Sequence, residues 1–156
     1  MTNALTMLQA LAPEAVVATT AFLVLGLDLR RNPNPRAQST VAILGLLAGA
    51  LATIPDWLDT TASGTALTLW GGNFLADPLS VVFRSQACVT GAVVLLFSID
   101  PVEAERRNPG DFVTLVPFVV LGLMLSVSAG ELLTFFVAFE IISLPLYLMA
   151  AWNKDE

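Results

Sequence analysis

Glu140 lies near the middle of the last apolar segment of the chain, ELLTFFVAFEIISLPLYLMAAW from Glu131 to Trp152. A charged side chain at the centre of a bilayer costs from about 2.5 to more than 10 kcal/mol, so such groups face a bundle interior or water and serve ion transfer. Glu140 follows Glu131 by nine residues. That is a rise of ~13 Å, which places it near the middle of a ~30 Å hydrocarbon core and beyond snorkelling reach. Phe136, Ser143, Leu144 and Tyr147 share its face by helical spacing and form an apolar stripe with two hydroxyls. Pro145 withholds an N–H from the carbonyl of Ile141, so a kink is expected just beyond Glu140, with that carbonyl open to water or a side chain. Burial penalises a carboxylate whereas a nearby cation favours it, so a site that alternates between the two loads and releases a proton. Glu140 is therefore the candidate proton-transfer residue, supported by Ser143, Pro145 and Tyr147. The alternative is a permanently protonated Glu140 that bonds a neighbouring helix and serves only packing.

The segments that position it are apolar throughout. The 156 residues are 56% hydrophobic and 13% charged, with mean hydropathy +0.77, against roughly 25% charged in a soluble domain. The absence of histidine and the single cysteine exclude a disulfide framework, a Cys/His metal site and any histidine base within the chain. Cys88, inside an apolar run, reads as a small buried hydrophobe. The net charge of -6 comes from loops and segment ends and suggests no nucleic-acid surface. MTNALTMLQALAPE lacks a basic n-region, so the first segment is expected to stay in the membrane.

Five apolar runs stand out: Pro13 to Leu29, Gln38 to Ile54, Asp77 to Ile99, Phe112 to Val127 and Glu131 to Trp152. Each is near the ~20 residues that span a bilayer. The expected fold is an all-α polytopic membrane protein, a single membrane domain with about five transmembrane helices. Arg31 to Arg36, Gly64 to Gly72 and Asn108 to Gly110 read as loops. Lys and Arg gather on the cytoplasmic side. Arg30, Arg31, Arg36, Arg106, Arg107 and Lys154 all fall on one side, which predicts an outer amino terminus and a cytoplasmic carboxyl terminus.

Arg84, about two turns into the third run, needs a separate account. It either snorkels toward the outer interface or pairs with a carboxylate across a helix interface. Pro13 and Glu14 suit the start of the first helix, by the missing N–H and the helix dipole. Ser128 and Glu131 have the spacing of a capping box, with proton capture at the outer face as a second role for Glu131. Asp28 reads as a solvated carboxylate at a loop edge.

Pro13-Glu14, FLADPLSVVFR and LGLMLSVSAGELLTFFVAFEIISLPLYLMAAW together resemble subunit N of bacterial respiratory complex I, called subunit 2 in mitochondria and chloroplasts. The resemblance covers most of the chain and is strongest at Phe74 to Ala87 and Leu121 to Trp152. It implies an antiporter-like membrane subunit of proton-pumping NADH-quinone oxidoreductase. That architecture has three leading helices followed by two inverted five-helix repeats, of which this chain would hold the leading three and the first two of one repeat. Glu140 would match the fifth-helix proton-transfer glutamate, whose lysine partner lies on a later helix. The chain is thus expected to be an amino-terminal portion that does not pump alone. The resemblance also implies no cofactor in this chain, no direct NADH binding, the other complex I membrane subunits and the lipid bilayer as partners, and a multi-pass location in the bacterial inner (plasma) membrane. An Mrp-type cation/proton antiporter subunit and a noncatalytic membrane scaffold are the competing readings.

Overall fold

In hydrocarbon every backbone N–H and C=O must be paired within the segment, so apolar runs of this length fold as helices. The computed structural model describes residues 4–30, 34–105 and 109–151. The order is α1 (Ala4–Ala10), α2 (Ala12–Asp28), α3 (Pro35–Ala52), α4 (Ile54–Ser63), β1 (Leu67–Leu69), a 3-10 turn (Trp70–Gly72), β2 (Phe74–Ala76), α5 (Pro78–Glu105), α6 (Pro109–Val127) and α7 (Leu132–Ala151).

The five apolar runs coincide with α2, α3, α5, α6 and α7. Four stretches among the described residues are long and apolar enough to cross a membrane: Pro35–Ser63, which joins α3 to α4, Pro78–Ser98, Gly110–Val127 and Leu132–Ala151. The fifth expected span, α2, has 17 residues and a length of ~25 Å, short of the ~30 Å core. It packs between α3 and α6. Of the residues read as loops, Arg31 lies outside the described set, whereas Asn34 caps α3. Its side chain accepts from the N–H groups of Arg36 (3.2 Å) and Ala37 (3.4 Å), with Pro35 as the first helical residue. Pro109 and Gly110 likewise belong to the first turn of α6.

The core is built from Val17 and Val24 of α2, Ala42 and Leu46 of α3, Cys88, Ala92 and Leu95 of α5, and Val113, Val116, Val120 and Met124 of α6. Cys88 is fully buried there, beside the Met124 sulfur at 3.5 Å. Small residues set the helix spacing, because close backbone approach provides the van der Waals contact that holds membrane helices together. A Cβ on Gly91 would lie 2.5 Å from a Val120 methyl, and one on Gly122 would lie 2.6 Å from Ile142 Cγ1 and 3.1 Å from the Ala138 carbonyl.

One end of the bundle carries a cap of short elements. Within it α4 ends at Gly64 in the left-handed conformation (φ 63°), and β1 and β2 pair antiparallel with Leu67 opposite Ala76. The chain from Ser128 to Gly130 then runs along β2: Leu75 N–H donates to the Ser128 carbonyl (2.8 Å) and Gly130 N–H to that of Asn73 (2.9 Å). A side chain on Gly130 would collide with the Gly72 carbonyl. This use of the segment displaces the expected capping box. Ser128 Oγ is buried without a partner, while the Glu131 carboxylate accepts from the hydroxyl of Thr134 at 3.3 Å. The reciprocal box forms instead at α5, where Ser80 N–H donates to Asp77 Oδ1 (2.7 Å) and Asp77 N–H to Ser80 Oγ (2.9 Å).

The Ser80 N–H, and secondarily its hydroxyl, hold the Asp77 carboxyl below the usual carboxylate range. A group with a depressed folded pKa stabilises the fold above its unfolded value near 4, and that contribution disappears as pH falls through the folded value. Asp77→Ala is expected to cost about 1 kcal/mol at neutral pH, the usual worth of such a cap. Thermal unfolding in detergent micelles should show the deficit shrinking below about pH 4. Gly122→Leu should cost about 1–3 kcal/mol in the same assay through overpacking. Gly26→Ala, where nothing lies within 4 Å, should be neutral or stabilising.

Candidate functional site

Mid-helix on α7, Glu140 is exposed at the bundle surface. Phe136, Leu144 and Tyr147 are exposed on the same face, Tyr147 to 71%. Ala138 and Pro145 are buried on the side away from Glu140, where α7 packs on α6, and Ser143 is buried at the edge between the two faces. The Ser143 hydroxyl donates to the Phe139 carbonyl at 2.8 Å. The residues expected to act together therefore divide into two groups: Glu140 and Tyr147 face outward, and Ser143 and Pro145 are buried. The physical reason is the position of α7 at the bundle edge, where Ala138, Ser143 and Pro145 are its buried residues. Small residues and the proline fit against α6, and the larger side chains point away. Glu131, also exposed, stands at the cap end of the same helix.

Arg84 does not snorkel. It is fully buried, and its guanidinium joins three elements. Nη2 donates to Glu14 Oε2 (2.6 Å) and to the Ala10 carbonyl (2.9 Å), and Nη1 donates to Asp56 Oδ2 (3.1 Å). The Phe74 ring lies 5.6 Å from the guanidinium carbon, within cation–π range. Glu14 and Asp56 are each 5% exposed. Glu14 is thus more than a complement to the α2 dipole; it is the α2 partner of Arg84. Two buried atoms of the cluster, Glu14 Oε1 and Arg84 Nε, make no hydrogen bond.

The energies rank clearly. Each carboxyl sits in the first turn of its helix, where the positive end contributes up to ~2 kcal/mol in favourable geometry. Desolvating an ion costs several kcal/mol, which a well-bonded partner offsets. Arg84 can match one of the two negative charges. Arg84 and Glu14 stand out separately in the sequence, whereas Asp56 lies between the second and third apolar runs, where no element is expected. The visible signal for α4 was Pro55-Asp56, a proline and an acid at a helix start.

At the far end of the bundle, Asp28 is half-buried instead of solvated. Its Oδ1 accepts from Gln38 Nε2 at 3.1 Å, and the Asp111 carboxyl lies beside it. Arg30 and Arg36 belong to this end, while Arg31, Arg106, Arg107 and Lys154 lie outside the described residues. Among the described residues no group of three His, Cys, Asp or Glu side chains is arranged to hold a metal ion.

Removing the guanidinium leaves two buried carboxyls unmatched. Arg84→Met is expected to destabilise the protein by about 3–5 kcal/mol, the range for breaking a buried ion pair. Adding Glu14→Gln and Asp56→Asn to that variant should recover a large part of the loss, as read by thermal unfolding in micelles.

No protein-family model matches the chain. It is 36% identical over 147 residues to NAD(P)H-quinone oxidoreductase subunit 2 of the Nephroselmis olivacea chloroplast, covering 94% of this chain and 29% of that protein. It is 35% identical over 144 residues to NADH-quinone oxidoreductase subunit N of Thiobacillus denitrificans, covering 92% of this chain and 29% of the relative. With NAD(P)H-quinone oxidoreductase subunit 2 of Synechococcus elongatus it shares 34% identity over 145 residues, 92% of this chain and 27% of the relative. The chain thus spans under a third of the length of these relatives. Over more than nine-tenths of its own length, it is homologous to the amino-terminal portion of the subunit N (subunit 2) family of quinone oxidoreductases.

Proposed function

We propose that this chain works as part of a membrane subunit of proton-pumping NADH-quinone oxidoreductase, in which Glu140 carries a proton. The observation that supports this reading is the outward position of Glu140 in the middle of an apolar helix, among Phe136, Leu144 and Tyr147. A carboxyl at that depth facing lipid would bear the full cost of the hydrocarbon. Its face of α7 is instead a contact surface for further protein helices that supply a cation or water. Alternating that neighbour's charge shifts the carboxyl between its protonated and ionised forms.

The arginine-bearing end faces the cytoplasm of a bacterial cell by the positive-inside rule, and the α4 and hairpin cap faces outward. The surrounding bilayer is the plasma membrane, and the partners are the other membrane subunits of the oxidoreductase. NADH and redox groups bind elsewhere in that assembly.

In the assembled oxidoreductase, Glu140→Gln is expected to lower proton translocation by at least several-fold while assembly stays normal. Acidification of vesicles on NADH addition reads the first, and native gels read the second. Full proton translocation by an assembled Gln variant would favour the scaffold reading. Purification with a cation/proton antiporter in place of quinone oxidoreductase subunits would favour the Mrp-type reading.

A further inference from the structure

The Arg84 cluster has more acid than base. The charged and titratable groups around it among the described residues are Glu14 on α2, Asp56 and Asp59 on α4, and Cys88 on α5. The Ala10 carbonyl from α1 and the Phe74 ring from β2 complete the enclosure. Asp59 is exposed and bonded to Gln9 Nε2 at 2.8 Å, so it adds negative potential and no counter-charge. With Glu14 and Asp56 both ionised, one guanidinium would face two buried carboxylates. The desolvation penalty on the unmatched one exceeds what the two helix ends return.

A proton resolves this geometry. Placed on Glu14 Oε1, the atom without a partner, it cancels the surplus charge and leaves Oε2 free to accept from Arg84. It also has a way in. Asp56 lines a cavity of about 570 Å³ together with Gln9, Asp59, Thr60, Ser63 and Thr65, whereas beyond Glu14 the bundle interior is the apolar core of Val17, Leu46 and Cys88. We propose that Glu14, Arg84 and Asp56 form a second proton-binding site, which holds one exchangeable proton drawn from the cavity under α4. Hydronium in the cavity protonates Asp56, forming one O–H bond as another breaks. Transfer to Glu14 restores the Asp56 carboxylate beside Arg84. This site is independent of the role assigned to Glu140.

Infrared spectroscopy of the purified protein in lipid nanodiscs tests it, with protons and deuterons as the probe. At neutral pH the protein should show a protonated-carboxyl C=O band that shifts on transfer to D2O. Glu14→Gln and Asp56→Asn should each abolish that band, because either change leaves one carboxylate matched to one guanidinium. Glu140→Gln should leave it in place. Ala62→Trp, which fills the cavity wall, should slow the deuterium shift by at least several-fold. Absence of that band from the wild-type minus variant difference spectrum of either cluster variant, in which any signal from Glu140 or from Asp28 and Asp111 cancels, overturns the proposal. If one cluster variant does not fold, the other decides the matter alone.

Discussion

Arg84 enters the bundle as a charge in an apolar wall, and the organisation of that end follows from the need to satisfy it. A guanidinium carries five donors in a planar fork and keeps its proton under all ordinary conditions. Burying it requires acceptors from several directions at once. The α2 amino terminus supplies Glu14, α4 supplies Asp56 and the end of α1 supplies a carbonyl. The α1–α2 junction, α4 and α5, which lie tens of residues apart in sequence, are thereby fixed relative to one another. Phe74 closes the remaining side with its ring, and this ties β2 to the same centre.

The hairpin in turn organises the entry to α7. Ser128 and Ala129 run along β2, so the backbone of the α6–α7 connection satisfies its hydrogen bonds with strand partners. On this route the Ser128 hydroxyl is buried without a partner and does not cap the helix. The helix then descends along α6 at a close spacing set by Gly122, which fixes the rotation of α7 about its axis. With Ala138 and Pro145 turned inward, Glu140 on the other side of the helix faces outward.

Arg84 and Glu140, both within apolar helices, therefore meet opposite conditions. Arg84 is matched inside the bundle by residues of its own chain. Glu140 is presented on the outside, exposed on α7. The first arrangement serves cohesion, and its surplus of acid makes it a place to hold a proton. The second leaves the carboxyl without a counter-charge from the described residues around it.

The sequence by itself determined the long helices and the identity of both unusual charges. Unbroken apolar runs leave the backbone no alternative to helix in hydrocarbon, and Glu140 and Arg84 are visible because each is rare in such a run. The short elements were not legible. α4 lies in a stretch rich in Asp and Thr whose helical face becomes apparent only when Asp56 and Thr60 are seen to be buried, and strands of three residues carry too few positions for an alternation to show. Capping spacing was ambiguous for a related reason: Ser128 and Glu131 have the right separation, but strand pairing claimed the backbone first, and Asp77 and Ser80 formed the box. Only the tertiary structure decided who pairs with Arg84 and which way Glu140 points. Both depend on contacts between segments tens of residues apart, and on the rotation of a helix by fractions of a turn, which no local pattern of residue types encodes.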